Sequence, residues 1–381
     1  MALSFRAALI IMIADPLGFI ISLFLAAHDA IFIRKDTATN ANSLKEHCAS
    51  AVDTLLHRTG YQYPAKICFD KTLKQKVEVF MLKAGLSLGT LTRIQPYIDS
   101  SVNIALTCYA HTSFNVQEFI AIYTSYAITV DDIGHEFVDD MRQFVSNLLD
   151  GHTTKNLILH GFFDLMKDHG SQFGQFGKDM MVKATIDFVS SCYLELELEN
   201  RVSNATAKGD QHHSAVNAPE YAEYFRIKTG VSEPYAFFVF PEHLFREDDV
   251  LHIYLPAIPY MVKYFNYAND ILSFYKESGA DEKANYVYNQ AAAHNISPFE
   301  SLDMLCKKTV EAFHTVNTIL APNEELRRNV HQWMHGYLVY HMVSGRYKLE
   351  ELGIPAVLEA RRLFFVDSWS KYKYWVIFSS L

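Results

Sequence analysis

From residue 36 onward apolar residues recur at intervals of three and four, and this period constrains the fold more than any other feature of the chain. In KVEVFMLKAG the positions Val77, Phe80, Met81 and Ala84 share one face of a helix, and in SLDMLCKKTVEAFHTV so do Leu302, Leu305, Val310 and Phe313. One run alternates, LELELE at Leu194 to Glu199; it is short and lies among long helical segments, so it too is predicted to be helix. Turn signals fall at Tyr63-Pro64, at Gly85 to Gly89 and at Gly151, and the polar stretch VSNATAKGDQHHSAVNAPE, Val202 to Glu220, predicts a loop. Ser297 before Pro298, and Asn323 after Ala321-Pro322, are predicted to cap the helices that follow. With no internal repeat or long linker, residues 36–381 read as one large all-α domain of about ten or more helices.

At 381 residues and 50% hydrophobic, the chain can bury a large core. The net charge is −9 without a Lys/Arg block, which excludes the basic footprint of a nucleic-acid binder. The five cysteines are odd in number, scattered and without metal-type spacing, which predicts reduced thiols in a cytoplasmic setting and no disulfide framework. Residues 1–35 form a separate hydrophobic extension. Within it Ala7 to Ala27, AALIIMIADPLGFIISLFLAA, approaches the roughly 20 residues that cross a bilayer. Asp15 is costly in lipid and Pro16 with Gly18 interrupts a helix, so two readings stay open: a membrane-associating helix or a hydrophobic helix packed on the domain. Arg34 and Lys35 outnumber Arg6, so a spanning segment would anchor the chain in an internal membrane with the remainder facing the cytosol.

Two acidic stretches carry the chemistry. VDDIGHEFVDD, Val130 to Asp140, reads either as the edge of a metal site or as a solvated helix face. NDILSFYKE, Asn269 to Glu277, is more telling: on a helix Asn269, Ser273 and Glu277 fall at roughly 0°, 40° and 80°, with Lys276 at roughly −20°. An amide oxygen, a hydroxyl and a carboxylate in one stripe suit a hard divalent cation, and the ammonium suits the anion such a cation carries. Tyr264, Phe265, Tyr267, Phe274 and Tyr275 around the stripe predict that this helix is buried on most sides, and buried oxygens in a row need partners.

These residues resemble the class I terpene cyclases, specifically the fungal sesquiterpene cyclases of the trichodiene synthase family. Asn269, Asp270, Ser273 and Glu277 match that family's second metal motif. Asp131-Asp132 stands where its aspartate-rich motif falls, Arg226 in YFRIKTG where a diphosphate-sensing arginine falls, and Arg346-Tyr347 matches its late Arg-Tyr pair. Four motifs in order are specific where one would not be, and they cover about residues 60 to 352. The resemblance implies a helical bundle around a central active-site cavity, Mg²⁺ as cofactor with three ions, and farnesyl diphosphate as substrate, with a homodimer left open. It implies Asp131, Glu136, Asn269, Ser273 and Glu277 as metal ligands, and Asp131, Arg226, Lys276, Arg346 and Tyr347 as catalytic residues.

The first motif departs from the family, which usually places a third acid where this chain has His135; Mg²⁺ prefers oxygen, so His135 is expected near the metals rather than on them, with Glu136 the nearest acid. Gly134, read as mid-helix, costs about 1 kcal/mol relative to Ala and marks either local loosening of the helix or the close approach of another backbone. The implied reaction releases diphosphate and turns the allylic cation into a fifteen-carbon terpene, a hydrocarbon such as trichodiene or an alcohol such as longiborneol. Tyr123, Tyr126, Tyr264 and Trp333 are aromatic faces that could stabilise the cation, with plain core packing as the default for each. A chain-elongating prenyltransferase and a non-catalytic, membrane-associated prenyl-binding protein are the alternatives. The Asn-Ser-Glu form of the second motif argues against the former.

Overall fold

A computed structural model describes residues 42–64, 67, 71–152, 154–168, 172–207, 218–279 and 285–378. The chain divides into a unit Met1–Cys48 and a larger one, Ala49–Leu381. The apolar stretch 7–27 lies outside the described residues, and among those described no helix is long and apolar enough to cross a membrane. Residues 42–58 are helical (α1) and are followed by α2 (Lys71–Lys83), α3 (Leu88–Arg93), α4 (Gln95–Cys108) and α5 (Phe114–Ile133). A 3-10 turn, Gly134–Phe137, leads into α6 (Val138–Leu149), α7 (Leu157–Asp168), α8 (Gln175–Ala207), α9 (Pro219–Thr229), α10 (Ser232–Phe237) and α11 (Glu247–Tyr254). The chain continues through α12 (Ile258–Gly279), α13 (Tyr286–His294), α14 (Pro298–Ile319) and α15 (Glu324–Val343), then a 3-10 turn Gly345–Tyr347, to α16 (Pro355–Phe378).

The described residues contain no strand, and LELELE lies inside α8. The expected loop at 202–220 begins later than its polarity suggests, because α8 runs to Ala207; residues 208–217 lie outside the described residues. Both expected caps are present. Ser297 Oγ accepts from the Glu300 amide while the Glu300 carboxylate accepts from the Ser297 amide, and Asn323 Oδ1 accepts from the Leu326 amide. Each satisfies amides that a helix start leaves unpaired.

Two helices form the centre. α5 buries Val116, Phe119, Ile120, Ile122, Tyr123, Tyr126 and Val130, and α12 buries Met261, Tyr264, Phe265, Tyr267, Ile271, Leu272 and Phe274. Apolar residues on nearly every side make each a core helix rather than a surface one. Around them, α5 packs on α2, α4 and α7, while α12 packs on α10, α14 and α15. α15 closes against α4 through Gly336: a Cβ there would stand 2.1 Å from the Thr107 carbonyl oxygen, so only glycine allows this approach. Between α9 and α10 the chain bends at Val231, a buried β-branched residue held at φ 45°, where such residues are rarely found.

Candidate active site

α5 ends at Ile133, one residue beyond Asp131-Asp132, and Gly134 opens the 3-10 turn. The acidic stretch is therefore not one continuous helix, and Gly134 is not a mid-helix residue. A side chain there would press on Met141, whose Cε lies 3.0 Å from the Cβ position. The break sends the acids in different directions. His135 and Glu136 are exposed, with His135 Nε2 3.8 Å from Glu136, and both carboxylate oxygens of Glu136 are held by the Arg93 guanidinium of α3, one of them at 2.7 Å. Glu136, expected as a metal ligand, thus anchors the outside of this corner, and His135 is a surface group rather than a pocket one. Asp139 and Asp140 lie in the first turn of α6, where the helix dipole favours acids.

Asp131 and Asp132 stay with the site. Asp132 is clasped by Arg346 in a two-bonded fork, Nη1 to Oδ2 and Nη2 to Oδ1, both 2.8 Å. This pairing joins the end of α5 to the Arg-Tyr turn 214 residues later. Asp131 keeps surface exposed to water yet is closely surrounded by protein. Withdrawal from bulk water and the neighbouring charge of Asp132 push its carboxyl up to about 6, against the pull of Arg346, Arg226 and Lys276. Three cationic side chains from three parts of the chain thus act on one carboxylate.

The second wall is α12. Arg226, from α9, donates through Nε to both oxygens of Asp270 at 2.9 and 3.0 Å, and through Nη2 to Asn269 Oδ1 at 3.3 Å. Burial pushes the Asp270 carboxyl up to about 6 in spite of Arg226, with Glu277 and Glu223 adding to the rise. Asn269 also faces α15: its Nδ2 lies 3.2 Å from His341 Nε2. His341 is wholly buried, which pushes its imidazole down to about 3, so it is neutral. Glu277 and Lys276 are half-buried on the same helix, and the Glu277 charge acts on Arg226, Asp270 and Tyr347. Tyr347 is buried, and its hydroxyl donates to Tyr340 at 3.3 Å.

Ser273 decides whether a cation fits. Its hydroxyl is buried at 3% exposure and has no hydrogen-bond partner among the described residues, although a buried polar atom ordinarily has one. It lies one turn after Asn269 and one before Glu277, so a cation held between these three oxygens would satisfy it. The donors are an amide oxygen, a hydroxyl and carboxylates, the hard ligands that Mg²⁺ selects. Among the described residues no three His, Cys, Asp or Glu side chains converge on one point.

The aromatic residues singled out in the sequence belong mainly to the core. Tyr264 donates to the Met334 carbonyl, Tyr123 pairs with Thr185, and Tyr126 stacks on Phe162. Trp333 instead begins a stacked series, with Phe265 on its face, Tyr337 4.1 Å from Phe265 and Tyr340 beyond, and Tyr347 meets Tyr340 edge-on at its end. Sequence reasoning placed Asp132 and Asp270 in its motifs without giving either a role, and did not point to Arg93 or His341. Asp132 and Asp270 lie inside quoted motifs, and their unpaired charge on largely buried helices was a usable signal. No local signal marks Arg93 or His341, whose roles come from distant partners.

The profile of the trichodiene synthase family matches residues 66–356. The chain is 35% identical to an (E)-beta farnesene synthase of Metarhizium brunneum over 304 residues, 79% of this chain and 89% of that protein. It is 27% identical to a longiborneol synthase of Gibberella zeae, over 74% of this chain and 81% of the other. Among solved structures, a linalool/nerolidol synthase from Streptomyces clavuligerus superposes with a TM-score of 0.53 at 13% identity, covering 74% of this chain and 99% of that one. At that identity the likeness is one of fold, the class I terpene synthase helical bundle.

Proposed function

This chain belongs to the trichodiene synthase family of terpene synthases and is a carbon–oxygen lyase by that membership; we propose that it ionises farnesyl diphosphate with Mg²⁺ and cyclises the allylic cation to a fifteen-carbon terpene. The observation that carries this reading is the convergence of four separate motifs: Arg346 on Asp132, Arg226 on Asn269 and Asp270, and Lys276 with both arginines on Asp131. Asp131 on one wall and Asn269, Ser273 and Glu277 on the other would hold the Mg²⁺. When bound, Mg²⁺ supplies Lewis-acid neutralisation of the leaving diphosphate.

The rest of the work falls to side chains. Arg226 and Arg346 are each held by a carboxylate, so their guanidinium groups are fixed in place before an anion arrives and little ordering remains to be done. Lys276 stands beside them as a further donor, and Tyr347 becomes one if its hydroxyl turns from Tyr340 to the anion. The buried rings from Tyr340 to Trp333 stack into one apolar series; beside an allylic cation such a series would keep out the water that quenches it, and any ring face open to the substrate would favour positive charge.

Purified protein given Mg²⁺ and farnesyl diphosphate should release inorganic diphosphate and a cyclic C15 product, read by mass spectrometry and NMR. Recovery of intact substrate with Mg²⁺ and with Mn²⁺ would sink the proposal. A second outcome has an observation behind it, since the relative at 35% identity is named for farnesene, an open-chain alkene. An acyclic C15 alkene in the same incubation would mean that the cation loses a proton before any ring closes.

A further inference from the structure

Asn269 can offer a cation either its oxygen or its nitrogen, and only the oxygen binds. Two neighbours fix the choice from opposite sides. Arg226 has donors alone, so the Asn269 atom 3.3 Å from its Nη2 must be the oxygen. His341 Nδ1 lies 2.8 Å from the Tyr337 carbonyl, which can only accept, so Nδ1 carries the proton. In a neutral ring Nε2 then holds a lone pair, and the Asn269 atom 3.2 Å from it must be the NH₂. His341 has no exposed surface, sits one turn beyond Tyr337 on α15 and lies five residues before Arg346.

We propose that His341 is a positioning residue: by accepting from the Asn269 amide nitrogen it holds the amide oxygen toward the mouth, where one oxygen lone pair remains for a cation. The inference rests on the metal reading of the site, and it adds a residue that touches neither metal nor substrate. Groups that orient a ligand in this way are worth about 10- to 100-fold in metal affinity. It also makes α15 carry two parts of the site, the Asn269 orienter and the turn that bears Arg346.

The test measures Mn²⁺ binding to the full chain in the presence of inorganic diphosphate, by titration followed with electron paramagnetic resonance. Wild type should bind. His341→Leu, which keeps the bulk and removes the acceptor, should bind about 10- to 100-fold more weakly, and His341→Gln, which returns an oxygen acceptor near the Nε2 position, should recover most of that loss. A structural defect alone would not spare the third arm: with Asn269→Asp the two oxygens are equivalent, so adding His341→Leu should weaken binding less than about threefold. Equal losses in both backgrounds, or unchanged binding in folded His341→Leu, would overturn the positioning role while leaving the metal site standing. Failure of wild type to bind Mn²⁺ with diphosphate would overturn the metal reading itself, and the inference with it.

Discussion

Asp131 lies beside Asp132 and within reach of three cationic groups, and its carboxyl, held near 6, lies above the roughly 3.9 of an unfolded chain. The sign follows from that order. Above pH 6 ionisation of Asp131 works against the folded state, and the penalty fades as pH falls from about 6 toward 4. Without metal, Asp131→Asn should therefore raise the unfolding midpoint above that of wild type at pH 7.5, and the gap should close by pH 4.5; a gap independent of pH would refute the assignment. Mg²⁺ needs the ionised form, so its affinity should weaken as pH drops through 6, a trend that isothermal titration can follow. Glu136 makes a contrasting case. Its oxygens are engaged by Arg93 at the surface, so Glu136→Gln should change the Mg²⁺ dependence of turnover by less than about twofold, the scale of an exposed ion pair. A tenfold loss would restore it to the ligand set. The sequence offered Glu136 as the acid nearest the vacant third position, and a helix drawn straight through Gly134 supports that choice. The 3-10 turn at Gly134 removes the premise.

α5, α12 and α15 are the elements that build the site; Asp131-Asp132 of α5 and Glu277 of α12 lie in the last turns of their helices, where the dipole adds negative potential that favours cations, whereas Asn269, Asp270 and Ser273 come from the middle of α12. The third is set by a single close contact. Gly336→Ala would drive a methyl into the Thr107 carbonyl, which backbone cannot yield cheaply, so α15 must move away from α4. The expected loss is about 1–3 kcal/mol of stability by denaturant unfolding, with a fall in turnover because His341 and Arg346 travel with the helix. Unchanged stability would show that the interface tolerates a wider spacing. Helix starts and the stripe Asn269-Ser273-Glu277 were legible because capping and the helical period act over a few residues. The pairing of α15 with α4 was not, because Gly336 has no periodicity to announce which backbone it meets.

For the molecule as a whole, the site lies between walls contributed by α5, α9, α12 and the turn after α15, so an anion with its cations should tie these elements together. Ligands that bind only the folded state stabilise it by mass action, by about 2.7 kcal/mol at a hundred times the dissociation constant. Mg²⁺ with inorganic diphosphate should raise the unfolding midpoint by several degrees, while either one alone moves it little, because each cation needs oxygens from both the protein and the anion. A full shift from Mg²⁺ alone would point to a preformed metal cluster, which the described residues do not contain.

By itself the sequence determined the all-helical class, the caps at Ser297 and Asn323, the oxygen stripe on α12 and, through four motifs in order, the resemblance to terpene cyclases. Each cap, stripe and single motif is written in residues a few positions apart, within reach of one or two helical turns, and only the order of the motifs runs along the chain. Only the tertiary structure decided which acid meets which base: Asp132 with Arg346, Asp270 with Arg226, Glu136 with Arg93 and Asn269 with His341. These partners lie between 43 and 214 residues apart. The helical period fixes a side chain's direction about its own axis, but the neighbour it finds depends on how the helices pack, and that is settled by contacts such as Gly336 on Thr107 which leave no pattern along the chain.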